Sequence, residues 1–496
     1  MTHATDRAGA PRGASGPSRS RRIALFGGIV LAAFVLFGGA GLPSREARAA
    51  AVALLMAAWW VTEAAPIAVT SLVPLALFPL LGVRSAGSVI AAFADPAILL
   101  FLGGFLLALA MEAQGLARRV ATTIAASRAG ARPALLLGAF ALATFTLSAW
   151  INNTATTMIM LPVALAATAR SELGLAKAVM LSTAYFSSIG GVVTPIGTAP
   201  NILFFGNSDR LAIVPRIGFL GWIAIALPIG LLVGLAAWGI LAWRFRVPWR
   251  GSEDAPLAAR ELLAGLGPPT RGERRVGVLF IAAVLLWVTR QDIDLGGLRF
   301  TGWQARLALP ALPWDGIVAI AAGALALLLP SGARRPLLTA REAWRGIPWG
   351  IVLLLGGGFA LADGLEASGL AARVGNAVAS LRGVPTLLLV LAVTGSMTFL
   401  SELTSNTAQA SLVLPLMAAT APAADVHPYI LMVPAVISCS LAFMMPAGTP
   451  PNAIVFASGR VALPEMAGVG LLLNLVAIAV TTLAAPFLLR VVCGVG

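Results

Sequence analysis

The chain has 496 residues, 59% of them hydrophobic and 11% charged, with mean hydropathy +0.91. Soluble domains carry roughly one-quarter charged residues, so this apolar surface has no aqueous globule to hide in and lipid must be its solvent. The net charge of +14 would suggest nucleic acid in a soluble protein; here basic cytoplasmic loops account for it, and no nucleic-acid partner is expected.

Residues 1–22 are polar and carry Arg7, Arg12, Arg19, Arg21 and Arg22; they predict a disordered basic cytoplasmic tail. The apolar run from Ile23, with Ala47-Arg48-Ala49 beyond it, imitates a secretory signal. It is long for a signal core, and Arg45 and Glu46 stand before the supposed cleavage site, so a span is expected. A crossing helix needs roughly 20 apolar residues. Crossings are expected near 23–43, 49–64, 65–82, 92–112, 174–206, 216–243, 276–290, 314–330, 349–366, 428–459 and 466–489. Two further stretches, 133–163 and 384–418, are interrupted by polar residues and predict re-entrant hairpins. The fold class is therefore an all-α polytopic membrane protein, with about eleven transmembrane helices plus two hairpins.

A cytoplasmic N-terminus puts Arg118, Arg119, Arg128, Arg132, the basic loop Arg244 to Arg275, and Arg334, Arg335, Arg341 and Arg345 inside. This follows the positive-inside rule. It predicts a multi-pass protein of the cell inner (plasma) membrane with an external C-terminus.

The chain also repeats itself. Leu102-Gly103-Gly104-Phe105 returns as Gly356-Gly357-Gly358-Phe359, and Met111-Glu112-Ala113-Gln114-Gly115-Leu116 as Leu365-Glu366-Ala367-Ser368-Gly369-Leu370, 254 residues later. Asn153-Thr154-Ala155, followed by Leu161-Pro162, returns 253 residues on as Asn406-Thr407-Ala408 and Leu414-Pro415. Gly197-Thr198-Ala199-Pro200-Asn201 returns 251 residues on as Gly448-Thr449-Pro450-Pro451-Asn452. Five expected crossings separate the copies, so they face opposite ways, as in the inverted repeats of secondary transporters.

The repeated blocks are the most polar parts of the deep apolar regions. Hydroxyl and amide groups in lipid must find partners, and here they cluster at expected hairpin tips. Pro195, Pro200, Pro446, Pro450 and Pro451 forbid continuous helix hydrogen bonding. Unwound backbone at membrane depth survives only when buried in protein or lining a cavity. Its exposed N–H groups suit a carboxylate, and its free carbonyls suit Na⁺. An isolated polar residue of this kind is ordinary interhelical glue; four breaks paired by one repeat point to a site. Glu402, three residues before Ser405, either helps place a cation or proton or pairs with neighbouring backbone. Glu112 and Glu366 are expected as ion-pairing or capping groups at helix ends.

Other classes are disfavoured. Lys177 is the sole lysine, so no Walker A loop exists. No triad, metal cluster or catalytic carboxylate pair stands out, so an enzyme is not expected, and no organic cofactor is implied. A channel suits paired closed tips less well than alternating access does.

At these motifs the chain resembles the divalent anion:sodium symporter family, the di- and tricarboxylate transporters, over residues 48–490. That family has two Ser-Asn-Thr hairpin tips and two Gly-Thr/Ser-Pro-Pro-Asn-like loops. The resemblance implies Na⁺ symport of a small dianion such as succinate, fumarate or malate, by homodimers whose transport domain slides against a scaffold. It implies scaffold helices in 23–130 and 276–383, and hairpin plus transport-domain helices in 131–243 and 384–496, with 244–275 a cytoplasmic loop. Asn153, Thr154, Thr198, Asn406, Thr407, Thr449 and Pro450 would face substrate. Ser148, Asn152, Asn153 and Gly197 would hold one sodium, and Ser401, Ser405, Asn406 and Gly448 the other. Asn152 replaces the first motif's serine and Ala199 the loop's first proline. An amide oxygen still ligates a hard cation, so the first site is expected to persist with altered affinity. Neither tip nor loop contains Arg or Lys, so cations must neutralise the substrate's charge. Sulfate, citrate, proton coupling and sodium-independent exchange remain alternatives.

Overall fold

A computed structural model of the chain describes residues 19–38, 41–126, 132–169, 171–249, 261, 263–294, 299–310, 312–332, 335–377 and 382–495. It is helical almost throughout; the strands Ile293–Asp294 and Arg299–Phe300 form one short antiparallel pair. The helix Arg19–Leu36 starts four residues before the expected tail boundary. Arginine is a good helix former, and Arg21 Nε donates to the Ala64 carbonyl at 3.2 Å. The rest of the expected tail, 1–18, lies outside the described residues.

Among the described residues, four stretches are long and apolar enough to cross a membrane unaided: Ala86–Ala113, Phe219–Arg244, Trp349–Ser368 and Leu463–Cys493. Much of the remaining apolar sequence is divided, and prolines and polar turns mark the divisions. The expected crossing at 174–206 consists of Leu173–Gly191 and Ala199–Arg210 with irregular backbone between. That at 428–459 consists of Pro428–Cys439 and Pro450–Ala457. The polar-interrupted stretches are helix pairs: Pro133–Ser148 with Asn153–Ala167, and Thr386–Ser401 with Asn406–Ala423. In both, a serine ends the first helix and an asparagine opens the second.

Packing is duplicated as the sequence is. Pro133–Ser148 lies on Leu173–Gly191, and Thr386–Ser401 lies on Pro428–Cys439. Asn153–Ala167 packs against Pro450–Ala457, while Asn406–Ala423 packs against Ala199–Arg210. Each helix pair thus meets the helix that resumes after the other half's break.

The glycine motifs let helices touch backbone to backbone. A Cβ on Gly103 would stand 2.1 Å from the Ala319 carbonyl carbon, and one on its repeat mate Gly357 would stand 2.4 Å from the Ser71 carbonyl oxygen. Small residues serve this purpose between membrane helices. Beyond them, the amphipathic helices Leu116–Ala125 and Leu370–Ala377 brace the two halves against each other. Arg119 Nε donates to Glu273 Oε1 at 2.7 Å, and its mate Arg373 pairs with Glu46. Both glutamates are third in their helices, Arg271–Val288 and Ser44–Thr62, where the helix dipole favours an acid. The expectation for Glu112 and Glu366 is therefore corrected. Neither makes an ion pair among the described residues; farther along the chain, Arg119 and Arg373 pair with Glu273 and Glu46 instead.

Candidate substrate and cation site

In the first half, the Ser148 hydroxyl lies 2.6 Å from the Ser187 carbonyl and 3.0 Å from Asn153 Oδ1, with either able to accept its proton. Asn152 Oδ1 accepts the Ala155 N–H at 2.9 Å, which caps the returning helix. The broken segment comes up beneath this tip. A Cβ on Gly191 would stand 2.2 Å from Asn153 Oδ1. One on Gly197 would stand 2.5 Å from Gly191 O, 3.0 Å from Ser148 O and 3.1 Å from Ala149 O. Three backbone carbonyl oxygens thus converge on Gly197, and only a residue without a side chain fits. Uncharged oxygens gathered this closely are what a hard monovalent or divalent cation takes.

The second half repeats the frame with different chemistry. The Ser401 hydroxyl lies 2.7 Å from the Cys439 carbonyl and 2.8 Å from Gln409 Oε1. Asn406 Oδ1 is buried and has no partner among the described residues. Such a group is costly unless something else binds it. Glu402 is 4% exposed. Its Oε1 accepts the N–H of Phe443 (2.7 Å) and Met444 (2.9 Å) and the amide of Asn474 (2.8 Å), and its Oε2 accepts Met445 N–H at 2.9 Å. The backbone-pairing alternative for Glu402 is thus the one observed. The carboxylate sits in a nest of amides that holds the second break open. Its counterpart Ala149 offers no charge; there, Thr194 donates to the Ala149 carbonyl instead.

In the repeated motifs, helices begin at Asn153, Ala199, Asn406 and Pro450. Thr198 and Thr449 precede two of them with nearly identical extended backbones, φ −145° and −143°. Asn153, Thr154, Thr198, Asn406 and Thr407 are half-buried, Thr449 is buried, and Pro450 is exposed at the head of its helix. The structure gathers Ser148, Asn153 and Gly197 tightly. It also sets Gly448 against Glu402, whose Oε2 lies 2.9 Å from where a Gly448 Cβ would stand. Asn152 sits at the tip, but its oxygen is engaged as a cap. Ser405 occupies the matching N-cap position without a capping bond. Sequence reasoning gave no role to Asn201, Asn452 or Trp222, which hold the broken segments. Only the place of the asparagines in the repeated motif signalled two of them.

The family model described as the sodium:sulfate symporter transmembrane region matches residues 20–493. The chain belongs to the divalent anion:sodium symporter family. Among its relatives, this family member is 36% identical over 476 residues to the sodium-dependent dicarboxylate transporter SdcS of Staphylococcus saprophyticus, covering 93% of this chain and 89% of that protein. It is 34% identical over 482 residues to SdcS of Staphylococcus aureus, covering 94% and 90%. Its fold is similar to that of the YdaH transporter of Alcanivorax borkumensis, with TM-score 0.54 and 14% identity, covering 82% of this chain and 87% of that one. MtrF of Neisseria gonorrhoeae is similar at TM-score 0.54 and 14% identity, covering 79% and 82%. At such identities the likeness speaks to fold alone. The symporter is a transporter rather than an enzyme, and a multi-pass membrane protein.

Proposed function

We propose that this symporter couples Na⁺ to the uptake of small dicarboxylates, with succinate, fumarate and malate as leading substrates. The observation that carries the reading is the convergence of the Ser148, Ala149 and Gly191 carbonyls on Gly197 beneath Asn153. These oxygens bear partial negative charge and no formal charge, so they suit Na⁺ and repel a naked dianion. The dianion is held where bound cations offset its charge, because moving it to mid-membrane alone is very costly. The side chains of Asn153, Thr154, Asn406 and Thr407, with Thr198 and Thr449 from the breaks and Pro450 beside them, contact the carboxylates. Ser148, Asn152, Asn153 and Gly197 hold one Na⁺. Ser401, Ser405, Asn406 and Gly448 hold another, for which the unpartnered Asn406 oxygen is a ready ligand.

The two halves form an inverted repeat of about eleven crossings and two re-entrant hairpins. Arg210 supports this: it reaches both Asp95, at the start of Pro96–Ala113, and Asp363, near the end of Trp349–Ser368. Repeat-related helices that run in opposite directions would bring those two ends to one arginine. The ion pairs among the described residues also join groups assigned to the same side, as Lys177 with Glu465 and Arg290 with Asp315 do. The N-terminus is cytoplasmic and the C-terminus external. The protein works as a homodimer in which hairpins and broken helices move as a transport domain against the remaining helices.

Uptake of radiolabelled succinate into proteoliposomes, with and without an inward Na⁺ gradient, tests the reading. Gradient-driven accumulation is expected, with competition by fumarate and malate. Equal uptake without Na⁺, or competition by sulfate or citrate alone, would overturn it.

A further inference from the structure

Asn201 and Asn452 are the third residues of the helices that resume after the two breaks, Ala199–Arg210 and Pro450–Ala457, and both are fully buried. Asn201 Nδ2 donates toward the carbonyls of Gly191 and Val192, each at 3.2 Å, and Thr194 at 2.7 Å. Asn452 Nδ2 donates to those of Ala442 at 3.2 Å and Met445 at 3.1 Å. A shift of 251 residues carries Asn201 to Asn452, Gly191 to Ala442 and Thr194 to Met445. Both amides close the same four-residue interval, although its side chains differ between the halves.

A single buried asparagine binding a nearby carbonyl is ordinary packing. Here the clamped carbonyls belong to the oxygen clusters themselves. Gly191 O is the nearest of the three oxygens around Gly197, and Met445 O lies 3.3 Å from where a Gly448 Cβ would stand. Crowded carbonyl dipoles repel one another, and an N–H donor between them offsets that repulsion and fixes their direction. The other end of each amide adds a second observation: Asn201 Oδ1 and Asn452 Oδ1 are buried with no partner among the described residues. Each side chain is thus held by its donors alone. Trp222 Nε1 reinforces the first half by donating to Val192 O at 2.9 Å.

We propose that Asn201 and Asn452 are positioning residues for the two Na⁺ sites, setting the carbonyl directions that make each break a cation site. The inference rests on the sodium-coupled reading and adds that Na⁺ affinity is set from behind the ligands. Neither asparagine belongs to the tip residues assigned to the carboxylates, so their loss acts on Na⁺ and spares succinate.

Asn201→Leu and Asn452→Leu keep roughly the same shape and remove the donors. Succinate uptake into proteoliposomes is measured against external Na⁺, then against succinate at saturating Na⁺. Each variant is expected to raise half-saturating Na⁺ about 10-fold or more, the usual effect of losing a ligand-orienting partner, with succinate half-saturation within about 2-fold. An unchanged Na⁺ requirement in both, or a lowered maximal rate with both half-saturation values unmoved, would overturn the proposal. Should a leucine variant fail to give a monodisperse protein, Trp222→Phe removes one donor from the same segment. A raised Na⁺ requirement there supports the proposal, and an unchanged one overturns it for the first half. The wild type separates the two levels: uptake indifferent to Na⁺ sinks the symport reading, whereas Na⁺-dependent uptake with unmoved variants sinks only this inference.

Discussion

Arg210 Nη1 donates to Asp363 Oδ2 at 2.5 Å, while its Nε lies 2.9 Å from Asp95 Oδ2. One guanidinium therefore ties the helix that resumes after the first break to both glycine-rich helices. Its plane also lies over the Phe359 ring, 5.4 Å from the centroid. The repeat provides no second copy of this triad, since Val461 stands where a counterpart of Arg210 would be.

Arg210→Met would leave two largely buried carboxylates facing each other without a cation. Breaking such a network by removing the shared partner costs about 3–5 kcal/mol. Asp363→Asn leaves the Arg210–Asp95 pair in place and should cost less, about 1.5–3 kcal/mol, the range for one charged hydrogen bond. Thermal unfolding of the purified protein in detergent checks the order. Equal losses would show that the three groups do not act as one network.

Thr154→Ala and Thr407→Ala each remove one hydroxyl assigned to a substrate carboxylate. Each should weaken succinate by about 1–2 kcal/mol, or roughly 5- to 30-fold in half-saturation. Uptake titrations at saturating Na⁺ read this directly. Unchanged affinity in both variants would remove these threonines from the pocket.

Gly197→Ala pushes a methyl group into backbone oxygen rather than into a yielding side chain. The break must shift, at about 1–3 kcal/mol for overpacking a tight site, and Na⁺-driven uptake should be lost. Gly239→Ala is the control, since a Cβ there meets nothing within 4 Å. Activity retained by both variants would mean that the carbonyl cluster is dispensable.

Glu273 gives a pH dependence away from the membrane-spanning segments. Burial pushes its carboxyl up, but hydrogen bonds from Arg119 and from the Thr270 N–H outweigh this and hold it below the ordinary value. A depressed folded-state value stabilises above the unfolded value of about 4.3, and the benefit disappears as pH falls through the folded value. Wild type should therefore be more heat-stable than Glu273→Gln at pH 7, and the difference should close below about pH 4. A gap that persists at low pH would assign the effect to packing.

The repeat was legible because its blocks keep the same order and nearly the same spacing, and the candidate site was suggested because Pro, Gly, Asn and Thr crowd into those blocks. What sequence could not show is which groups pair across long separations. Nothing near Arg119 or Arg373 points to Glu273 or Glu46, and Arg210 lies 153 positions from Asp363. Glu402 was ambiguous for a related reason: its partners are backbone N–H groups at 443–445, and backbone donors leave no mark in a sequence. Breaks inside the expected crossings at 174–206 and 428–459 were signalled by proline. Helix at Arg19 was hidden by polar, basic composition that resembled a tail.

The central claim is that two tips without Arg or Lys share a dianion made tolerable by Na⁺. Equilibrium binding of radiolabelled succinate to the purified protein, titrated with NaCl against choline chloride, tests it most directly when wild type, Asn153→Ala and Asn406→Ala are compared. Saturable binding that requires Na⁺ and is lost in both variants is the expected result. Binding that is indifferent to Na⁺, or that survives the loss of either asparagine, would contradict it.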